Sequence, residues 1–180
     1  MDGFFDFIKK LVDGFEKEGL DYAFTGALAA SFYGVPRTTA DVDIMVAVSS
    51  KTAKKKLVSA LRLAGLQVDE KRIDDALTSG YKIATFRCKT SPYRVDVILS
   101  DSIRKRPGTV ADLPTYLQPA EDLILAKLRM IKATIPRERS IKDEEDVRAI
   151  LRFTEVDKAA IEKHAMKEGT LEIWKSFSES

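Results

Sequence analysis

The chain has 180 residues, 44% of them hydrophobic and 32% charged, which is enough apolar material to bury a real core. Its 30 basic and 28 acidic residues nearly cancel, so the net charge by itself indicates neither a nucleic-acid nor a membrane partner. A single cysteine, Cys88, and a single histidine, His164, exclude a disulfide framework and a zinc cluster supplied by this chain alone.

The N-terminal residues bear on the cellular location of the protein, and the amide content bears on its source. The segment MDGFFDFIKK is acidic and lacks the basic start and apolar core of a secretory signal peptide. No apolar stretch approaches a membrane-spanning length. We therefore expect a cytoplasmic protein with no membrane partner. The absence of asparagine, together with the charged fraction, hints at a thermophilic source.

Helices and strands are predicted to alternate in the first part of the chain, because apolar spacing switches between helical and alternating patterns. The predicted elements are a helix over 4–19, a strand over 20–25, a helix over 27–33, a strand over 41–48, a helix from about 50 to 65, and two strands over 82–88 and 93–99. The last two strands are expected to form a hairpin around residues 89–92, and a short connector is expected after Gly65.

The second part of the chain is predicted to be helical. Residues 100–118 are ambiguous, with turns at Pro107-Gly108 and Pro114. Pro119 suits the first position of a helix. The helices that follow are predicted over 119–134, 141–153, 156–168 and 170–177. The sequence thus predicts an α/β core over residues 1–113 and a C-terminal helical segment over residues 114–180, packed on the core.

Three aspartates are the most informative residues of the chain. Asp41 and Asp43 lie two apart in a predicted strand, so their side chains share one face about 7 Å apart. Asp96 lies in the predicted strand over 93–99 and joins them if the two strands are neighbours. Carboxylates gathered in this way repel one another, but they suit a hard divalent cation. Metal-assisted phosphoryl chemistry is therefore the first function to test.

The order of the motifs resembles the minimal nucleotidyltransferase fold of the polymerase-β superfamily. That family has a Gly-[Gly/Ser] pair opening a helix, Asp-x-Asp on the next strand and a third Asp on a later strand. The corresponding residues here are Gly26-Ala27, Asp41 with Asp43, and Asp96. The chain looks particularly similar to the abortive-infection-type nucleotidyltransferase toxins over residues 20–152. It shares their later pattern through Pro119-Ala120-Glu121-Asp122-Leu123, Lys127-Leu128, Lys142-Asp143 and Asp146.

The resemblance implies an α/β (α+β) fold, in which a mixed sheet with flanking helices is followed by a helical segment. It implies transfer of a nucleoside monophosphate from an NTP to a hydroxyl, with Mg²⁺ or Mn²⁺ as cofactor. The implied acceptor is RNA such as tRNA, a protein or a small molecule, and the implied partner is an antitoxin. The implied site residues are Asp41, Asp43 and Asp96 for metal, with Asp96 as possible general base, and Gly26, Ala27, Arg37 and Lys127 for the triphosphate.

Several of these residues have a structural alternative. Gly26 also suits a tight turn, and Arg37 a solvated loop. Lys127 falls on the apolar stripe of its predicted helix, where a lysine either finds a partner or snorkels to water. Asp143 either pairs with Lys127 or Arg139, or is a surface carboxylate.

Two other functions stay open. A binding module that keeps the fold without catalysis is favoured by Ala27, which stands where the family has Gly or Ser. An RNA-binding protein without chemistry is suggested by four lysines between residues 51 and 56, although a solvated helix face is the simpler explanation of them.

Overall fold

The computed structural model describes residues 3–35, 39–136 and 140–178. Within them lie seven strands and eight helices. In chain order they are α1 (Phe4–Glu18), β1 (Tyr22–Phe24), α2 (Gly26–Phe32), β2 (Asp41–Ala47), α3 (Lys51–Leu63), β3 (Leu66–Gln67), α4 (Glu70–Thr78), β4 (Ile83–Cys88), β5 (Arg94–Ser100), β6 (Arg106–Val110), β7 (Leu113–Leu117), α5 (Ala120–Ala133), α6 (Ile141–Phe153), α7 (Lys158–Glu168) and α8 (Leu171–Ser178).

All seven strands form one mixed sheet, in the order β3-β4-β5-β2-β1-β7-β6. Strand β2 pairs in parallel with β5 and antiparallel with β1, while β4 and β5 form the predicted antiparallel hairpin. The predicted fold class, a mixed sheet with helices, is therefore confirmed. The pairing that matters for function is that of β2 with β5, because it places the strand of Asp96 directly beside that of Asp41 and Asp43.

One face of the central strands is buried and the other is more open. Alternate residues of β2 and β5 are fully buried, as the period of two in a strand requires. The apolar faces of α1 and α3 are buried as well, and the two helices approach so closely that a Cβ on Gly14 would lie 2.9 Å from the carbonyl oxygen of Ala60. The three aspartates alternate with the buried residues and so lie on the more open face.

Two parts of the fold differ from the prediction. The expected connector after Gly65 contains β3 and the nine-residue helix α4. Helix α4 buries only Ile73 and Ala76, so its apolar stripe is too short to predict a helix from the sequence. The ambiguous segment forms the β6–β7 hairpin, whose turn residues Ala111 and Asp112 both have positive φ without the usual glycine.

The chain divides into two compact units. The first comprises residues 1–28 and 38–118 and contains the whole sheet with α1, α3 and α4. The second comprises residues 29–37 and 119–180, in which α5 to α8 bury apolar residues such as Ile124, Ile150 and Trp174. The predicted division at residue 113 and the packing of the helical segment on the core stay predictions. Among the described residues, no helix is long and apolar enough to cross a membrane.

Candidate active site

The structure brings the three predicted aspartates onto two neighbouring strands. Asp43 of β2 is the direct register partner of Asp96 of β5. Asp41, two residues earlier on the same face, is the register partner of Arg94. The Asp96 side chain is 24% exposed and that of Asp41 is 51% exposed, so both can meet a ligand that comes from solvent. We call this patch, formed by Asp41, Asp43, Arg94 and Asp96, the acidic face.

Arg94 is the member of the acidic face that the sequence analysis missed. Its Nη2 lies 2.8 Å from Oδ2 of Asp41 and 3.8 Å from Oδ2 of Asp96. The guanidinium therefore stands between two carboxylates and neutralises part of their mutual repulsion. A signal was present in the sequence, because Arg94 lies two residues before Asp96 and so shares its face of the strand.

Thr85 of β4 fixes the orientation of Asp96. The two residues are register partners, and the Thr85 hydroxyl donates a 2.6 Å hydrogen bond to Oδ1 of Asp96. The other oxygen of Asp96 is the one nearest Arg94. One carboxylate oxygen is thus held by a neutral donor, while the second faces the charged part of the acidic face.

Gly26 lies against the carboxylate of Asp43. Its φ is +58°, and a Cβ built on it would come within 2.8 Å of Cγ of Asp43. The preceding residue, Thr25, donates its backbone N–H to the carbonyl oxygen of Asp43 over 3.0 Å, and its hydroxyl bonds to the Gln118 side chain. Glycine is therefore needed here both for the backbone conformation and for the close approach of Asp43. Ala27 follows it in the first turn of α2.

The donor atoms of the acidic face fit a magnesium ion in type, since Mg²⁺ prefers carboxylate oxygens. Their present arrangement is not yet a ligand set. Within the described ranges, no three His, Cys, Asp or Glu side chains lie close enough together to hold a metal. Oδ2 of Asp41 is engaged with Arg94. Asp43 and Asp96 are direct register partners on neighbouring strands, so their side chains lie on the same face of the sheet as that of Asp41.

Lys127, predicted to contact the triphosphate, lies in the helical unit and is buried. Its Nζ is 2.5 Å from Oδ2 of Asp146 and 3.0 Å from Oδ1 of Asp143. The alternative in which Lys127 snorkels to water is wrong, because two carboxylates satisfy the ammonium group inside the helical unit. The pairing of Asp143 with Lys127 is confirmed. Asp146, which the sequence analysis quoted only as part of a motif, is the more buried partner.

The structure provides less information about the other predicted residues. Arg37 and Arg139 lie outside the described residues. Of the lysines at the start of α3, Lys54 pairs with Asp74 over 2.6 Å, as in an ordinary solvated helix face. The role of Gly26, Ala27, Arg37 and Lys127 toward a triphosphate stays a prediction.

A basic pocket adjoins the acidic face. Its volume is about 410 Å³, and Thr85, whose hydroxyl holds Asp96, is one of its lining residues. Arg72, Arg87 and Lys89 line the same pocket, and Arg72 donates a 3.1 Å hydrogen bond to the backbone oxygen of Thr85. We call this group, formed by Arg72, Thr85, Arg87 and Lys89, the basic pocket. The pocket also contains one carboxylate, that of Asp69, which lies 4.0 Å from Nε of Arg72. The three cations outnumber it, so the pocket and the acidic face offer separate places for a negatively charged ligand and for a metal ion.

Comparison with protein families gives one match that covers most of the chain. The family described as nucleotidyl transferase AbiEii toxin, type IV TA system, matches residues 9–172. No protein of curated function matches the chain significantly.

The solved structures with a similar fold include the following, all at low sequence identity. The crystal structure of ANT(2'')-Ia in complex with adenylyl-2''-tobramycin has a TM-score of 0.65 at 14% identity, covering 94% of this chain and 95% of its own. The solution structure of the antibiotic-resistance factor ANT(2'')-Ia gives 0.62 at 13% identity, with 94% and 88% covered. An antigenic nucleotidyltransferase-like protein from Paracoccidioides brasiliensis gives 0.58 at 13% identity, with 93% and 89% covered. At these identities the likeness shows the fold.

Proposed function

Because the chain belongs to the AbiEii family of nucleotidyl transferase toxins of type IV toxin–antitoxin systems, we propose that it transfers a nucleoside monophosphate from an NTP to a hydroxyl group of RNA. The predicted resemblance to nucleotidyltransferase toxins is confirmed by this family match. The observation that best supports the proposed site is the register of Asp43 with Asp96, together with Gly26 against the Asp43 carboxylate.

In the proposed reaction, the oxygen of the acceptor hydroxyl forms a bond to the α-phosphorus of the NTP. The bond from that phosphorus to the bridging oxygen of the β-phosphate breaks in line, and pyrophosphate leaves. The hydroxyl proton passes to the carboxylate of Asp96, which acts as general base. The Thr85 hydroxyl keeps this carboxylate oriented, because it holds one of its two oxygens at 2.6 Å.

The divalent cation proposed as cofactor is Mg²⁺, or Mn²⁺ in its place. Asp41 and Asp43 would hold the ions, with Asp96 joining them on the side of the acceptor. When bound, such ions supply charge neutralisation for the triphosphate and activation of the attacking oxygen. Gly26 and Ala27 are proposed to lie beside the phosphates, since Gly26 has no side chain between its backbone and Asp43. Arg37 and Lys127 are proposed as further contacts to the triphosphate.

The basic pocket supports RNA as the acceptor rather than a protein or a small neutral molecule. An RNA strand carries regularly spaced phosphates, which the cations of Arg72, Arg87 and Lys89 would attract. Thr85 belongs to the pocket and also holds Asp96, so a strand bound there would have its hydroxyl groups close to the proposed base. An antitoxin partner is proposed from the family alone, without a surface assigned to it.

Removal of two pocket cations is expected to weaken transfer to RNA in a salt-dependent way. For the double variant Arg87→Gln/Lys89→Gln, the slope of log KM for RNA against log salt should fall by about 1.4, at about 0.7 for each lost phosphate contact with a single strand. The measurement is label transfer from α-labelled NTP at several salt concentrations, in separate pools of RNA and protein.

The matched control removes two exposed cations of α1 from the same unit. Lys9→Gln/Lys17→Gln has the same change in net charge and should keep the slope of the wild type. Label found in the protein pool, or an equal loss of slope in both double variants, would contradict RNA binding in the basic pocket.

A further inference from the structure

Arg94 occupies a peculiar position within the acidic face. It is the only cation that the described residues place in ion-pair contact with Asp41 or Asp96. The distances are 2.8 Å to Asp41 and 3.8 Å to Asp96, so the guanidinium is closely bonded to the first and only near the second. Its side chain is 34% exposed, which leaves it a path toward solvent.

The contact of Arg94 with the aspartates is incomplete. Its Nε is buried and has no hydrogen-bond partner among the described residues. A buried donor without an acceptor loses the hydrogen bond that water would have given it. The attraction of the carboxylates therefore holds the guanidinium in a place where one of its donors is unsatisfied. A divalent cation at the same carboxylates would compete with this incompletely bonded guanidinium.

The same contact engages a carboxylate oxygen of Asp41 that a divalent ion would use as a ligand. Asp41 and Asp43 share a strand face and Asp43 faces Asp96, yet in the described part of the chain no three acidic groups lie within liganding reach. Oδ2 of Asp41 lies 2.8 Å from Nη2 of Arg94. A metal ion that takes this oxygen as a ligand therefore competes with the guanidinium for it.

We propose that Arg94 is a positioning residue that acts as the resident counter-cation of the acidic face and competes with the divalent metal for Asp41. This inference rests on the proposed function, because it takes the acidic face as the metal site. Without metal, Arg94 offsets the repulsion between the aspartates and keeps them together. When a divalent ion binds, Arg94 leaves Asp41. As a consequence, the aspartates bind the metal more weakly than they would in the absence of Arg94.

Arg94→Gln tests the competition directly, because it removes the charge but retains a polar side chain. We expect Mn²⁺, used as the probe without nucleotide, to bind the variant on the order of tenfold more tightly, since one positive charge near a divalent ion is lost. Free Mn²⁺ is measured by electron paramagnetic resonance during a titration of the full chain. We also expect the variant to melt at a lower temperature than the wild type in EDTA, and to gain more from Mn²⁺.

Two further variants separate charge from other effects. Arg94→Lys keeps the charge and should bind Mn²⁺ within about twofold of the wild type, because the repulsion of the ion is retained. Arg62→Gln removes an arginine that pairs with Glu70 over 3.0 Å, away from the aspartate pairs, and should leave Mn²⁺ affinity unchanged.

The outcomes decide between three roles for Arg94. Equal or weaker Mn²⁺ binding by Arg94→Gln, or a variant that does not fold even with Mn²⁺, would overturn the competition and leave Arg94 as a structural bridge. An unchanged Mn²⁺ affinity with weaker binding of a non-hydrolysable NTP would also overturn it and make Arg94 a phosphate contact. If neither the wild type nor the variant binds Mn²⁺, the metal site of the proposed function itself fails, which is a distinct result.

Discussion

Asp43→Asn is expected to abolish nucleotidyl transfer while the protein stays folded. Asp43 is the middle carboxylate of the acidic face, with Asp41 on its own strand and Asp96 opposite it. An amide has the shape of the carboxylate but not its charge, so the variant loses the attraction for a divalent ion. A metal contributes several kcal/mol to stabilising the charge of the transition state. We expect the rate to fall roughly a thousandfold or more.

The measurement for Asp43→Asn is transfer of α-labelled NTP to the RNA pool, with circular dichroism to verify folding. Asp101→Asn is the matched control, because Asp101 is an exposed aspartate just after β5. The control should transfer label at the rate of the wild type. If Asp43→Asn did so too, the acidic face would have no part in the reaction.

Lys127→Met is expected to have the largest effect on stability. The methionine fits the apolar stripe of α5, but it removes the ammonium group that lies 2.5 Å from the carboxylate of Asp146, whose side chain is only 3% exposed. Breaking a buried ion pair by removing one partner costs about 3–5 kcal/mol. The change is followed as the free energy of unfolding in a denaturant titration.

Two companion variants sharpen this experiment. Lys175→Met removes the cation of an exposed pair with Glu172 and should change the free energy of unfolding by less than about 0.5 kcal/mol. Lys127→Met/Asp146→Leu replaces the buried pair by apolar side chains and should recover most of the stability. In this folded background we expect NTP to bind about tenfold to a hundredfold more weakly if the lost ammonium contacted the triphosphate. If the single variant Lys127→Met were as stable as the wild type, this result would contradict the structural role of Lys127.

The central part of the fold could be predicted because its strands carry strong local patterns. Strands β2 and β5 are dense in β-branched residues, and their alternation with aspartates fixes which residues share a face. The position of Asp96 beside Asp43 needed the ordered motifs as well, since alternation alone does not say which strands are neighbours. The ordered motifs also identified Gly26. In the structure, the close approach of the Asp43 carboxylate explains why a glycine is needed at this position.

The parts that escaped prediction depend on partners far away in the sequence. The spacing of Arg94 and Asp96 places both on one face of a strand, but the contact of Arg94 with Asp41 joins residues 53 positions apart and requires the pairing of β2 with β5 to be known. The hydrogen bond from Thr85 to Asp96 requires the register of the β4–β5 hairpin to be known. The pair of Lys127 with Asp146 depends on the packing of α5 with α6 inside the helical unit. Periodicity identifies elements, whereas these contacts arise from their tertiary arrangement.

The central claim is that the protein transfers a nucleoside monophosphate to RNA and releases pyrophosphate. The most direct measurement is a parallel incubation of the wild-type protein, RNA and Mg²⁺ with NTP labelled either at the α- or at the γ-phosphate. We predict that the α-label enters RNA, that the γ-label appears in pyrophosphate in equal amount, and that EDTA prevents both. Entry of the γ-label into the acceptor would show a phosphate transfer instead, and the absence of the α-label from RNA with every NTP would contradict the proposed reaction.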